Sequence, residues 1–466
     1  MSGFSTLNTA VSGLGAAQRA MDVASQNIVN ANTPGYSRQR VDLAAIGAPP
    51  TTGIFTGSDI SYGGVDVTGV VRIRDTFLEG ARAIAGGKMS ALETRSSALT
   101  GVEQLLGEPG DTGLQAVLED FFVSWHDVAQ HPTDSSAGSV VIQRGRAVAQ
   151  QLAFVATGIS ERWRMSYGEL ENTVAEANQA AVDLAGVNGR IQEGEMAGRA
   201  VNELKDQRDQ LVRTLGELVG GVAVPGEHGM VSVNVNGIDI VSGRAASPFT
   251  LVGGENLAQA VTDPPRLVWN DTTVPVSSGA AGGLLGVLGA DFPAIAADVD
   301  AVAVSLRDAV NTLHAGGYTL DGAGGSDFFE GEDALTLSVV VTDPSELAIA
   351  AAPGIVDGSV AMAIGDLVDD RYAEQVLGGP GPAVLWRDLA TELGVQVQSV
   401  ERALDVQQAV LTTADVAVES DAGVNLDEEL TSMILFQRAY EASARVITTV
   451  DEMLDVLVNR TGVVGR

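Results

Sequence analysis

The sequence has 466 residues, with 60 Asp plus Glu against 27 Lys plus Arg and a formal net charge of −33. That excess argues against a nucleic-acid partner, because too little positive charge is available to neutralise phosphate, and an anionic membrane surface would repel it. There is no Cys and only 4 His, which excludes disulfides, thiolate zinc sites and a Cys nucleophile and leaves little for metal or acid–base chemistry.

In chain order, Met1-Ser2-Gly3-Phe4-Ser5-Thr6 has neither the basic nor the apolar region of a cleavable secretory signal. No apolar run approaches bilayer-spanning length. These two readings alone point to the cytoplasm. Phe4, Leu7, Val11, Leu14, Met21 and Ile28 then alternate at threes and fours, which predicts a helix with a heptad seam, interrupted by Gln18 and Ser25. Ala10, Ala17, Ala20, Ala24 and Ala31 keep its surface small, so a neighbouring helix can approach closely. Asn32-Thr33-Pro34-Gly35 stops it, since Pro biases its predecessor away from helix.

Residues from about 72 to 220 are helical in pattern. Leu114, Val117, Leu118, Phe121, Trp125 and Val128 line one face before His131-Pro132, and Gly194 and Gly198 separate two further stripes as in a helical hairpin. The period then changes to two. Val231, Val233 and Val235, Asn236-Gly237, and Ile238 and Ile240 predict a β-hairpin with a type I′ turn. A helix is expected from near Phe292 to about Leu313, strand-like sequence around Leu335–Val341 and Leu347–Ala350, and helix again from about Ser359 with a break at Gly378–Pro382.

The C-terminal segment carries two stripes. Asn425 is placed to cap it, with Glu428 as capping-box partner. Leu426, Leu430, Met433, Tyr440, Ala444, Ile447, Leu454 and Val458 form one seam, interrupted by Gln437 and Asp451. Phe436, Ala439, Val446, Val450, Met453 and Leu457 form a second, about 100° away. One stripe is explained by an amphipathic helix packed on its own domain. Two stripes, with a seam at each chain end, predict mutual packing of the ends plus contacts with other subunits.

No catalytic, metal or cofactor constellation emerges. Asp321–Asp327 lacks the alternating acids and closing Glu of an EF-hand, Glu227-His228 lacks the helical zinc-protease spacing, and neither a phosphate-binding Gly fingerprint nor a nucleophile elbow is present.

The segment Asn30-Ala31-Asn32-Thr33-Pro34-Gly35-Tyr36-Ser37-Arg38 resembles the N-terminal signature of bacterial flagellar axial proteins of rod, hook and hook-associated type. Val424-Asn425-Leu426-Asp427-Glu428-Glu429-Leu430, Phe436-Gln437-Arg438-Ala439-Tyr440 and Val450-Asp451-Glu452-Met453-Leu454 resemble the FlgK family of hook-associated proteins, the first hook–filament junction proteins. Asn202–Leu211, Val310–His314 and Gly325–Phe329 are similar to the same family. The resemblance covers nearly the whole chain in order. The high acidity and a short middle depart from it, as if an outer domain of larger relatives were reduced.

The resemblance implies a mainly α fold with inserted β, elongated and multi-domain. Residues 1–60 and 410–466 would form a coiled-coil-like inner domain, 61–225, 284–316 and 358–409 a helical-bundle stem, and 226–283 and 317–357 a β-rich outer domain. It implies a structural role without catalysis, in a homo-oligomeric ring between the hook protein on one side and a second junction protein and the filament on the other. It further implies secretion through the flagellar type III system to the cell exterior and an export chaperone on the C-terminal helix. No nucleic acid, membrane or cofactor is implied. The assembly surface is then expected at Phe4, Leu7, Val11 and Leu14, at Pro34, Gly35 and Tyr36, and at Leu430, Met433, Phe436, Tyr440, Val446, Ile447, Val450, Met453, Leu454 and Leu457. The alternatives are a hook or distal rod protein, or an adhesive or enzymatic β region.

Overall fold

The computed structural model describes residues 3–33, 35–46, 63–110 and 113–459. Helix α1 (Gly3–Asn30) is followed by strands β1 (Gln39–Ala45) and β2 (Val65–Arg72), then helices α2 (Thr76–Leu106), α3 (Leu114–Gln130), α4 (Ser135–Met196) and α5 (Asn202–Val219). Strands β3 (Val222–Pro225), β4 (Val231–Val235), β5 (Ile238–Ser242), β6 (Ala245–Ala246) and β7 (Thr250–Val252) lead through a helical turn α6 (Leu257–Ala260) to β8 (Arg266–Trp269) and β9 (Thr272–Val274). Helices α7 (Gly279–Gly286) and α8 (Phe292–His314), strands β10 (Phe329–Glu330) and β11 (Ser338–Val339), and helices α9 (Ser359–Gly365), α10 (Asp370–Leu377), α11 (Pro382–Ala422) and α12 (Leu426–Asn459) complete the order. The fold is mainly α with inserted β and is elongated.

The length comes from α4. Its 62 residues rise about 93 Å at 1.5 Å per residue. Asp134 caps its start, accepting from the Ser136 amide at 2.8 Å, where an N-terminal carboxylate also suits the helix dipole. Val141, Val148, Leu152, Val155, Ile159, Trp163, Leu170, Val174, Ala181 and Leu184 are buried along one face, a helical spacing sustained without a Pro. Against that face pack α3, α5, α7 and α8. The Trp163 indole donates to the Leu288 carbonyl at 3.0 Å, so the largest apolar ring in the helix is also hydrogen-bonded.

Helices α7 and α8 join through a π-helical turn at Val287–Asp291. The combined helix Gly279–His314 is long and apolar enough to cross a membrane by length and composition, which corrects the expectation that no segment reaches that threshold. Val287, Leu288, Phe292, Val299, Val302 and Leu306 are all buried in the stem, and that burial accounts for the apolarity.

The predicted hairpin is present as β4–β5 in a four-stranded antiparallel sheet of order β3-β4-β5-β6. Val235 pairs with Ile238, and Asn236 and Gly237 both have positive φ, at 46° and 91°, as the type I′ turn requires. The buried Asn188 of α4 ties this sheet to the stem. Its amide donates to the Val231 and Gly243 carbonyls at 2.7 Å, and its oxygen accepts from the Val231 amide at 3.1 Å.

Three β features differ from the sequence reading. Strands β1 and β2 form an antiparallel pair where the sequence reading, which ended the first helix at 32–35, expected no strand. Strands β7, β8 and β9 form a further sheet whose three- and four-residue strands are too short to display a period. The expected strands at 335–341 and 347–350 reduce to the two-residue pairing of β10 with β11 and an isolated bridge of Tyr318 to Ala350. Side chains hold that segment instead. Asn311 of α8 accepts from the Phe328 and Phe329 amides at 2.8 and 2.9 Å. Phe328 and Phe329 pack with Phe121 and Trp125, and His314 accepts from the Ala348 amide at 3.0 Å. Gly325 is required beside them, because a Cβ there would lie 2.0 Å from the His314 carbonyl oxygen.

Candidate assembly joint

Helices α1 and α12 run side by side and antiparallel. Asn27 meets Glu429, and a Cβ on Gly13 would lie 3.3 Å from Ser443 Oγ. The buried residues of α1 are Ala10, Ala16, Ala17, Ala20, Val23, Ala24 and Asn27. The five alanines let the two helix axes approach closely but bury little apolar area, so each contributes well under the ~1.5–3 kcal/mol of a large aliphatic residue.

The lower end of the pair is polar and fully connected. Asn27 is 1% exposed. Its amide donates to the Gln39 carbonyl at 2.9 Å and to Glu429 Oε2 at 3.0 Å. Its oxygen accepts from the Gln39 amide at 3.0 Å and from the Tyr36 hydroxyl at 2.8 Å. Glu429, 4% exposed, also takes Arg38 at 2.7 Å. Arg38 reaches Glu428 at 3.0 Å, and its amide donates to the Ala422 carbonyl at 3.2 Å. Asn425 does cap α12, accepting from the Asp427 amide at 3.0 Å. Glu428, expected to close a capping box, pairs with Arg38. Gly35 has φ +81°, a conformation that favours Gly, and turns the chain back toward α1.

The same loop is fastened to the stem. Asn202, at the start of α5, donates to Gln39 Oε1 at 3.0 Å and to the Val70 carbonyl at 2.9 Å. Arg72 pairs with Asp206 at 2.9 Å and with Asp209. Arg74 pairs with Glu79 at 2.8 Å and with Asp209. Burial pushes Asp206 up, against the pull of Arg72. Burial also opposes ionisation of Asp209, but Arg74, Arg208 and Arg72 together hold it below the ordinary carboxylate value. Tyr36 is pushed up to about 12 by burial, reinforced by Asp206, Glu429 and Glu203, so its hydroxyl stays a donor. A cleft of 1240 Å³ separates Gln26, Asn30 and Tyr36 from Val187, Arg190 and Gln207.

Three stretches far apart in sequence therefore meet here: the turn after α1, the start of α12 and the start of α5. The joint can transmit position between the terminal pair and the stem. Of the residues expected at the assembly surface, Gly35 and Tyr36 lie in the joint, whereas Pro34 and the side chain of Phe4 lie outside the described residues. Leu7 and Leu14 are half-buried and Val11 is exposed. Met433, Phe436, Ile447 and Leu454 are half-buried, and Leu430, Tyr440, Val446, Met453 and Leu457 are exposed. Val450 is only 6% exposed, so this member of the second stripe is covered within one chain, whereas Val446, Met453 and Leu457 of the same stripe stay 41%, 63% and 64% exposed. The face toward α1 draws from both stripes, because the partner helix sits between them. The sequence reading did not single out Asn27 or Arg72, and it held Arg38, Glu429 and Asn202 only as members of quoted motifs. The available signal was a polar residue, Asn27, on the small-residue face of α1.

Residues 99–329 match the family model described as the flagellar hook-associated protein FlgK helical domain. Residues 7–36 match flagella basal body rod protein, and 419–460 match the flagellar basal body rod FlgEFG protein C-terminal model. Those two terminal matches contain the Tyr36 and Glu429 sides of the joint. Flagellar hook-associated protein 1 of Bacillus subtilis (strain 168) is 30% identical over 511 aligned residues, covering 99% of this chain and 99% of the relative. Its counterpart of the same name in Escherichia coli (strain K12) is 23% identical over 555, covering 98% and 99%. The solved flagellar hook junction protein FlgK from Burkholderia pseudomallei superposes with a TM-score of 0.64 at 15% identity, over 74% of this chain and 100% of that one, a likeness of fold.

Proposed function

The chain belongs to the flagellar hook-associated protein 1 family, and from that premise we propose that it is a non-catalytic structural subunit of the hook–filament junction. It assembles there as a homo-oligomeric ring that adapts the hook protein on one side to a second junction protein and the filament on the other. The terminal segments 1–60 and 410–466 form the inner domain, 61–225, 284–316 and 358–409 the stem, and 226–283 and 317–357 the outer region. The subunit reaches the cell exterior through the flagellar type III system, and before assembly an export chaperone covers α12.

One observation carries this reading. Helix α12 packs on α1, yet Leu426, Leu430, Ile434, Leu435, Val446 and Met453 remain between 41% and 63% exposed. Exposed large apolar side chains on two flanks of a single helix, Leu426, Leu430 and Ile434 on one and Leu435, Val446 and Met453 on the other, mark surfaces that another molecule covers. The test is antibody labelling of isolated hook–filaments. A single band at the junction is expected. Label along the hook would favour the hook-protein alternative, and no label on either would refute the reading.

A further inference from the structure

A second cleft, of 450 Å³, lies beside the joint, between the start of α2, α5 and the β3–β4 pair. Five arginines line it, Arg72, Arg74, Arg82, Arg208 and Arg213, against two carboxylates, Glu79 and Asp209. A surplus of cations is unexpected in a chain of net charge −33. Asp209 is already shared by Arg72, Arg74 and Arg208, and Arg82 is paired with Asp415. Arg213 is different. It is half-buried, and it donates to Gln210 Oε1 at 3.1 Å. Among the described residues no carboxylate stands within ion-pair distance of it. Burial pushes its guanidinium down, and Arg82 and Arg74 add to that, with only Glu79 and Glu217 opposing.

The rest of the lining is largely apolar. Val212 and Val231 are buried and Pro225 lies at the edge, while Phe77 is 79% exposed on the rim. A half-buried guanidinium with Glu79 and Glu217 near it but neither in ion-pair contact is stabilised further by a carboxylate that it can bind in fork geometry. The neighbouring Phe77 suits an apolar group next to that carboxylate.

We propose that this cleft receives an Asp or Glu side chain from a second copy of this chain, with Arg213 as the receiving guanidinium and Phe77 covering the adjoining apolar contact. Charge complementarity selects the occupant, since a chain with 60 acidic and 27 basic residues presents carboxylates to any neighbour of its own kind. The cleft also shares Arg72, Arg74 and Asp209 with the joint, so it lies next to the terminal pair. The inference rests on the reading that the chain assembles with copies of itself.

The absence of Cys makes the test direct. Thr76 is exposed on the cleft lining, and Thr76→Cys in the full chain places a single thiol for a photo-activated cross-linker on isolated hook–filaments. The expected product joins two copies of this chain, and the captured peptide contains Asp or Glu. Alongside it, Arg213→Gln should lower the amount of chain retained after a salt wash about tenfold or more, since removing one partner of a desolvated charge pair costs at least that. Arg213→Lys should recover part of the loss, and the thermal transition of the purified chain should not move. If wild-type chain is absent from hook–filaments, the functional reading itself fails. If it is present but Thr76→Cys captures no second copy, or Arg213→Gln is retained as firmly as wild type, the cleft proposal alone is overturned.

Discussion

Replacing Arg38 with Ala is expected to release the terminal pair while leaving the stem folded. Glu429 is 4% exposed and Arg38 reaches it at 2.7 Å. Removing one partner of a buried ion pair costs about 3–5 kcal/mol, mostly from the charge left behind. Here the low end applies, ~3 kcal/mol, because the Arg38 side chain is 22% exposed and the Asn27 amide still donates to the carboxylate. That corresponds to roughly a hundredfold larger opening constant for the pair, at 1.4 kcal/mol per factor of ten. Hydrogen exchange resolves it by region. Amides of α1 and α12 should exchange about a hundredfold faster, and those of α4 should not change. Adding Glu429→Gln removes the stranded charge and should return part of the protection. Unchanged exchange in α1 and α12, or equal loosening of α4, would refute the reasoning.

Gly35→Val forces a β-branched residue to φ +81° and should cost the joint about 1–2 kcal/mol or more, read as faster exchange at Tyr36 and Gln39. Val450→Asp buries a carboxylate against α1 and should open the pair, whereas Met453→Asp, at a position 63% exposed, should leave the pair intact and lower attachment to hook–filaments. The Tyr36 phenol should titrate near 12, seen as a difference spectrum against Tyr36→Phe. Its folded value is raised, so the stability it contributes is present below 10 and lost as pH rises through about 12. His314 has the opposite sign. Burial lowers it, so its contribution is present above 6.5 and is lost as pH falls toward its folded value. The Ala348 amide should therefore lose protection in mild acid, and His314→Gln should flatten that dependence.

The helices were legible because their periods run long. Leu170, Val174, Ala181, Leu184 and Ile191 recur at helical spacing, one of the two stripes that Gly194 and Gly198 separate, and all five are buried. The β4–β5 hairpin was legible from Asn236-Gly237, whose backbone requirement is local. The joint was not. Asn27 occupies no seam position, Glu429 and Arg38 read only as members of two separate motifs, and their pairing depends on contacts about 400 positions apart. The sequence located both stripes of α12, but it could not say that α1 settles between them and covers Val450. The strands around 335–350 were over-read, because an apolar run with Asp333, Thr336, Asp343 and Glu346 beside it is held by side-chain-to-backbone bonds that compete with ladder pairing.

The separation of Asn27 from Glu429, 402 residues, bears on the order in which the molecule is made. The contact cannot form until both extremities of the chain are free to meet. Closing so long a loop from a disordered chain carries an entropic cost that grows as the logarithm of its length. A stem already folded from α2 to the buried first half of α11 removes most of that cost, because it brings the roots of the two ends together at Arg72, Asn202 and Ala422. The terminal pair is thus the last element to close. It is a latch made of small side chains and one buried carboxylate, and until it shuts the subunit keeps its two ends available to other surfaces.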